Sequence, residues 1–195
     1  MKTALRNLAL TSLLVSGVAN AELNYSYVEG GLGVLSPSGQ TYVGPDVRGS
    51  FAVTDDIFVY GGLRFLTDDT DYTNWHLGAG YRFAIDEQTD VWAGANLEYQ
   101  EFKVKKECET IPFFGKQCWG GSIDDTAIAI RGGVRHQLNQ DIEVGGTARL
   151  VTGDFDYFGI NGHVRYKLMD NLSAKGELDI QDGDLGIFAG VTYFF

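Results

Sequence analysis

Proline and cysteine are both rare, at three and two in 195 residues, and there are only two methionines. So little proline beside 26 Gly, 10 Tyr and 12 Phe favours sheet with many close backbone approaches over a helical bundle. Cations are short too: 15 Lys+Arg stand against 26 Asp+Glu, for a formal net charge of −11. That balance argues against a nucleic-acid partner, whose phosphates need a basic surface. Beyond residue 21 no apolar run approaches the roughly 18 residues of a membrane-spanning helix. This does not settle the membrane question, because a spanning barrel alternates its residues and hides from a hydropathy average.

What is present begins with a leader. Lys2 and Arg6 form a positive start, Leu8 to Val18 an apolar stretch too short to cross a bilayer, and Ala19-Asn20-Ala21 a small-x-small cleavage pattern. Residues 1–21 are therefore expected to be a secretory signal that is removed, leaving 22–195 as one domain. From Leu23 on, segments of about 10–13 residues alternate with period two between runs of Asp, Asn, Gly, Ser and Thr. They predict ten strands, at 24–35, 42–53, 57–66, 74–85, 90–102, 123–136, 142–152, 157–168, 172–180 and 185–195; eight is the alternative. The connectors suggest short turns at one end and longer, more acidic loops at the other, the longest being 103–122. That is an all-β, transmembrane, up-and-down antiparallel barrel with both termini on one side.

Each strand has two phases. In 157–168, Phe158, Ile160, Val164, Tyr166 and Leu168 oppose Gly159, Asn161, His163, Arg165 and Lys167; in 74–85, Trp75, Leu77, Tyr81 and Phe83 oppose His76, Gly78, Gly80 and Arg82. Arg48, Arg64, Arg82, Arg131, Arg135, Arg149 and Arg165 all fall on the polar phase. An Arg facing lipid costs about 2–4 kcal/mol at the midplane, so seven of them would exceed the whole stability of a typical domain. The polar phase is therefore expected in the lumen and the apolar phase in lipid. A soluble lipocalin-like barrel, the competing arrangement, would need the reverse. Aromatic residues near strand ends (Tyr25, Tyr27, Tyr72, Trp75, Tyr99, Phe102, Tyr157, Phe158, Tyr193 and Phe195) are expected to form two interfacial girdles.

The residues also carry a resemblance. The leader, the alternating strands and a final Phe195 preceded by Tyr193 resemble bacterial outer-membrane proteins, in which that aromatic strand is recognised by the barrel-assembly machinery. "YVEGGLG" (27–33), "VRGSFAVTDDIFVYGGLRFL" (47–66), "WHLGAGYRFAIDEQTDV" (75–91) and "RYKLMDNLSAKGELDI" (165–180) resemble a family of small OmpA-like barrels of Gammaproteobacteria, whose xanthomonad members were once proposed as elicitors of plant immunity. The resemblance implies a location in the bacterial outer membrane, contact with outer-membrane lipid, an assembly signal at Tyr193 and Phe195, and no catalytic residue. The 103–122 insert departs from the family pattern.

Candidate chemistry is sparse. Cys108 and Cys118 bracket "ETIPFFGKQ" and, in a secreted chain, argue for a disulfide. Ile111, Pro112, Phe113, Phe114 and Trp119 either form a contact patch for an external partner or pack on one another and the rim. Within the lumen, Arg48, Arg64, Arg82, Arg131, Arg135, Arg149, Arg165, Lys167 and Lys175 face Glu29, Asp46, Glu98, Asp125, Glu143, Glu177 and Asp179. Opposite charges should pair across so narrow a space, since an unpaired one is costly. Such a network either plugs the barrel or, with room left by Gly62, Gly78, Gly80, Gly94 and Gly133, lines a channel of low conductance. The acidic pairs at 68–71, 124–125, 154–156 and 182–184 match no complete Ca²⁺ loop, so no metal or cofactor is expected. His76, His136 and His163 lack a defensible Ser partner, which leaves a lipid-modifying enzyme as the weakest reading. A surface-exposed structural barrel that presents its loops is the leading one.

Overall fold

The computed structural model describes residues 23–111 and 115–195; the expected leader, and Pro112, Phe113 and Phe114, lie outside the described residues. The chain is a closed up-and-down antiparallel barrel of ten strands. They are β1 (Tyr27–Ser36), β2 (Tyr42–Ala52), β3 (Ile57–Thr67), β4 (Thr70–Asp86), β5 (Thr89–Ile111), β6 (Gly115–Gln137), β7 (Ile142–Thr152), β8 (Tyr157–Met169), β9 (Leu172–Gln181) and β10 (Asp184–Phe194). Each pairs with its sequence neighbours, and β10 returns to β1 with Tyr27 opposite Phe194 and Ser36 opposite Leu185. Closure removes every free edge from the barrel wall.

Alternation decides which way each side chain points. Val28, Leu32, Val47, Leu63, Leu77, Leu97, Ile130, Leu150, Ile160, Leu178 and Ile187 are all exposed, whereas Glu29, Asp46, Glu98, Arg135, Arg149, Arg165 and Glu177 are buried. This inverts the pattern of a water-soluble domain and is that of a membrane-spanning barrel.

Three features differ from the sequence expectation. First, the connectors do not alternate in length: by the strand bounds all run two to five residues at either end. The turn at 182–183 is a two-residue hairpin in which Asp182 (φ 47°) and Gly183 (φ 97°) both take the left-handed conformation such a turn requires. Second, 103–122 is largely strand. β5 and β6 continue as a two-stranded ribbon past the rim, with register shifting between Val104 and Glu107. β4 leaves β5 at Val104 and β7 leaves β6 at Ile128, so beyond these residues the ribbon pairs only with itself. The seven residues 105–111 carry it roughly 20 Å past the last β4 partner.

Third, the girdle is narrower than expected. Phe51, Phe65, Trp75, Phe83, Tyr81, Phe158, Tyr166, Tyr193 and Phe195 do face outward. Trp75 stacks with Tyr99 on the outer surface at 5.8 Å and Phe51 with Phe195 at 6.4 Å. Tyr25 and Tyr72 are instead buried inside the barrel, Phe102 packs on Tyr72, and Tyr157 packs against Ala127, Ala129 and Val151. Tyr27 lies in the lumen beneath the Arg165 guanidinium, 4.9 Å from its carbon. Each shares its strand's polar phase, and phase rather than position along the strand decides the side.

Candidate functional site: the lumen and the ribbon

The lumen is filled in three layers. At the end bearing Leu23 and Phe195, the extended stretch 23–26 folds into the mouth, where Leu23 and Tyr25 pack on Phe58 with Ala52, Tyr60 and Trp92 around them. Arg135 donates to the Asn24 carbonyl at 2.9 Å and lies 4.5 Å from the centre of the Tyr25 ring, which fastens the stretch from above. At the ribbon end, Leu35, Tyr42, Leu66 and Tyr72 form a second apolar layer extended by Phe102, and Ala127, Ala129 and Val151 a third cluster beside it.

Between these lies an ionic chain that is continuous across strands. Arg64 donates to Asp46 (2.8 Å), which also accepts from Arg48 (2.7 Å); Arg48 reaches Glu177 (2.8 Å), and Glu177 is met by Lys175 (3.1 Å). Lys175 then donates to Glu29 (2.7 Å), Glu29 accepts from Arg165, and Arg165 with Arg135 (2.9 Å) closes on Glu143. A second set runs beside it from Arg131 to Glu98 (2.6 Å), from there to the Tyr157 hydroxyl (2.5 Å), and through Arg149 to Asp179 by two bonds of 2.8 Å. On strand β10, Gly190 and Thr192 lie opposite Lys175 and Glu29 and leave space for that pair to form across it, while the buried Phe188 ring packs against Arg48 and Lys175, 4.7 and 5.5 Å from its centre.

Two of the expected members stand apart. Lys167 is on the lumenal phase but lies beyond the last layer, half-exposed, and pairs with the exposed Asp170 of the β8–β9 turn at 2.9 Å. That hydrogen bond holds the Asp170 carboxyl below its ordinary range. Asp125 sits at the rim, where its carboxylate accepts the Phe155 backbone N–H at 3.0 Å and secures the 153–156 turn. One lumenal carboxylate escaped the sequence reading. Asp90 is buried and lies 3.3 Å from Arg82, which also donates to the Asp55 and Leu23 carbonyls. Its phase, shared with Trp92, Asn96 and Glu98, was the signal.

The lumenal glycines leave room, but side chains take it. A Cβ at Gly80 would lie 2.5 Å from the Phe58 ring, at Gly133 2.7 Å from Trp92 Nε1, at Gly62 2.7 Å from His76 and at Gly159 2.7 Å from the Arg149 guanidinium. Cavities of about 110 and about 70 Å³ remain within the ionic layer.

Among the described residues, none of the three histidines has a hydrogen bond to a Ser. Tyr60 lies beside His76, with ring centres 6.2 Å apart; His136 Nδ1 is 2.9 Å from the Thr89 hydroxyl, and His163 is 3.7 Å from Glu143. Among the described residues, no group of three or more His, Cys, Asp or Glu is arranged to hold a metal.

On the ribbon, Cys108 and Cys118 are direct cross-strand partners joined by a disulfide. Trp119 remains 49% exposed, so it does not pack into the rim. The Lys105 ammonium bonds the Asp68 carbonyl and the Thr67 hydroxyl, tying the ribbon's base to the β3–β4 turn. Removing the disulfide with Cys108→Ser and Cys118→Ser should free local opening worth about 3 kcal/mol in the chain-entropy model. Tryptic cutting within the ribbon is then expected to rise by about 100-fold, with the barrel's own unfolding midpoint unchanged. Equal cutting rates in both proteins would refute this.

No family model and no curated protein matches the chain. Among solved structures, it is similar to the KdgM porin at 10% identity and TM-score 0.48, covering 87% of this chain and 99% of that one. It is similar to the attachment invasion locus protein Ail of Yersinia pestis at 13% identity and TM-score 0.46, over 90% of this chain and 100% of the other. The N-terminal barrel of Pseudomonas aeruginosa OprF matches at 14% identity and TM-score 0.39, over 89% and 100%. A likeness of that degree speaks for neither activity nor ligand.

Proposed function

We propose that this chain is a non-conducting outer-membrane barrel whose role is to hold the disulfide-tied β5–β6 ribbon at the cell surface. The observation that carries this reading is the lumen: apolar layers at both ends enclose a continuous ionic chain, and the space left over is small. The apolar exterior supports a lipid setting, and Tyr193 and Phe195, outward on the closing strand, fit an assembly signal of the kind the resemblance implies. The ribbon supports contact with an external partner, because Trp119 is exposed on it past the last β4 partner, with Val104 and Ile123 exposed at its base. Membership of the OmpA-like family, as suggested by the strand motifs, belongs to the same reading.

Purified, refolded protein in a planar bilayer tests the proposal. The expected result is no current steps above the lipid baseline in molar KCl. Stable steps would overturn it in favour of a small channel, and an altered lipid A mass on expression would favour a lipid-modifying enzyme.

A further inference from the structure

Along the barrel wall, exposed apolar side chains look into lipid; on one face of the ribbon they look away from it. Ile123, Gly121 and Trp119 of β6 share a face by alternation, and so do Phe102 and Val104 of β5, with Phe102 opposite Ile123 and Val104 opposite Gly121. Phe102 packs on the buried Tyr72, so this face continues the lumenal phase past the rim. Val104, Ile123 and Trp119 are nevertheless 55%, 60% and 49% exposed. Gly121 leaves a notch among them, since no atom lies within 4 Å of where its Cβ would stand. From Ile123 to Trp119 the strip runs about 13 Å, and an apolar strip that neither lipid nor lumen covers marks a site of contact with another molecule.

The charges around the strip select the partner. Phe155 meets Phe102 at 6.1 Å and its N–H is held by Asp125, which sets the β7–β8 turn, with the exposed Asp154 and Asp156, beside the base of the strip. Further out, Glu107 stands opposite Trp119 in the register, and the exposed Glu109 opposite Gln117, two residues from Trp119 on the same face. The ribbon's lysines with described side chains belong to the other face: Lys103 lines a groove with Phe65 and Thr73, Lys105 bonds the Asp68 carbonyl and the Thr67 hydroxyl, and Lys116 shares the phase of Cys118. An apolar strip with an open indole and a rim of carboxylates suits ammonium or guanidinium groups carried on an apolar chain, which pair with the carboxylates and lie over the ring. A second copy does not supply that chemistry: the chain's net charge is −11, and its arginines are paired inside the lumen.

We infer that this face of the ribbon docks a basic, amphipathic polypeptide segment, with an apolar side chain seated at Gly121 among Val104, Ile123 and Trp119, and with Lys or Arg side chains against Glu109, Asp154 and Asp156. The inference rests on the reading that the ribbon is held out to an external partner, and it names that partner's chemistry. The apolar contacts supply the anchor, and the carboxylates supply orientation and a fast, salt-sensitive encounter.

Isotope-labelled protein in nanodiscs of zwitterionic lipid provides the test. It is titrated with a blocked peptide of about nine alternating Lys and Leu residues, long enough to span the strip, and separately with the counterpart in which Glu replaces Lys. The backbone signals of Val104 and Gly121 and the Trp119 indole signal should shift saturably with the basic peptide and stay in place with the acidic one. Raising KCl from about 50 to about 500 mM should weaken binding at least tenfold by screening. Gly121→Val fills the notch without touching a neighbour, so it should fold as the parent does and bind about tenfold more weakly; Trp119→Ala should lose as much. Equal binding of the two peptides overturns the inference, as do parental affinity in both variants and the absence of any shift on this face. A ribbon that ignores the basic peptide on a barrel that passes no current strikes this inference alone, whereas current steps in the bilayer strike the reading beneath it.

Discussion

Replacing Glu29 by Ala is expected to destabilise the barrel by about 3–5 kcal/mol, the usual cost of stripping one partner from a buried ion pair. Glu29 is 1% exposed and accepts from Arg165 and from Lys175, with Thr192 Oγ1 3.5 Å away. The alanine would strand two cations at the centre of the lumen. Arg165 retains Glu143 and Lys175 retains Glu177, which keeps the loss from being larger. Urea titration of the refolded protein measures the effect, and a change below about 1 kcal/mol, within the range of an exposed pair, would show that the ionic layer is wetter than the geometry implies. Glu29→Gln should fall between, since the amide still accepts from one cation but carries no charge.

A second large effect is expected at the seam where the barrel closes. Gly31 of β1 and Gly190 of β10 are cross-strand partners. A Cβ on Gly190 would stand 2.4 Å from the Gly30 carbonyl oxygen and 2.8 Å from the Gly31 Cα; one on Gly31 would stand 2.3 Å from the Ala189 carbonyl oxygen. These neighbours are backbone, so no rotamer change relieves them. Gly190→Val should therefore lose folded, heat-modifiable barrel altogether, a stronger outcome than the 1–3 kcal/mol of ordinary overpacking. Gly176→Val is the control: it also lies on a strand flanking β10, but its Cβ would meet only a Val164 methyl at 4.0 Å, and it should fold normally. Equal folding yields for the two variants would contradict this account.

Strand count and the side each residue faces were legible in the sequence, because both rest on a period of two sustained over some ten residues and on seven arginines that share one phase. What misled was position taken without phase. Tyr27, Tyr72, Phe102 and Tyr157 lie near strand ends and suggested a girdle, yet each alternates with its strand's polar set and turns inward. Asp90 was missed for the same reason, lying near its strand's start with a readable parity. Lys167 failed in the opposite sense: parity points it to the lumen, but no parity rule tells where the lumen stops, and a flexible stem let its ammonium reach Asp170. The ribbon was hidden by its composition. Charge and glycine between 103 and 122 suggest a loop, while alternation through "FKVK" continues β5, and the cross-strand register that places Cys108 opposite Cys118 is a property of pairing rather than of spacing.

The pairing of Tyr27 with Phe194 carries a consequence for how the molecule comes into being. Nearly the full span of the described chain separates these two residues, so the contacts that seal the cylinder are among the most distant in sequence, and topologies of that kind fold slowly. Until β10 arrives, β1 and β9 each present an unpaired flank, and the ionic interior stands open to whatever surrounds it. A half-made cylinder is thus unsuited to oil and to water alike, and insertion and closure must proceed as one event.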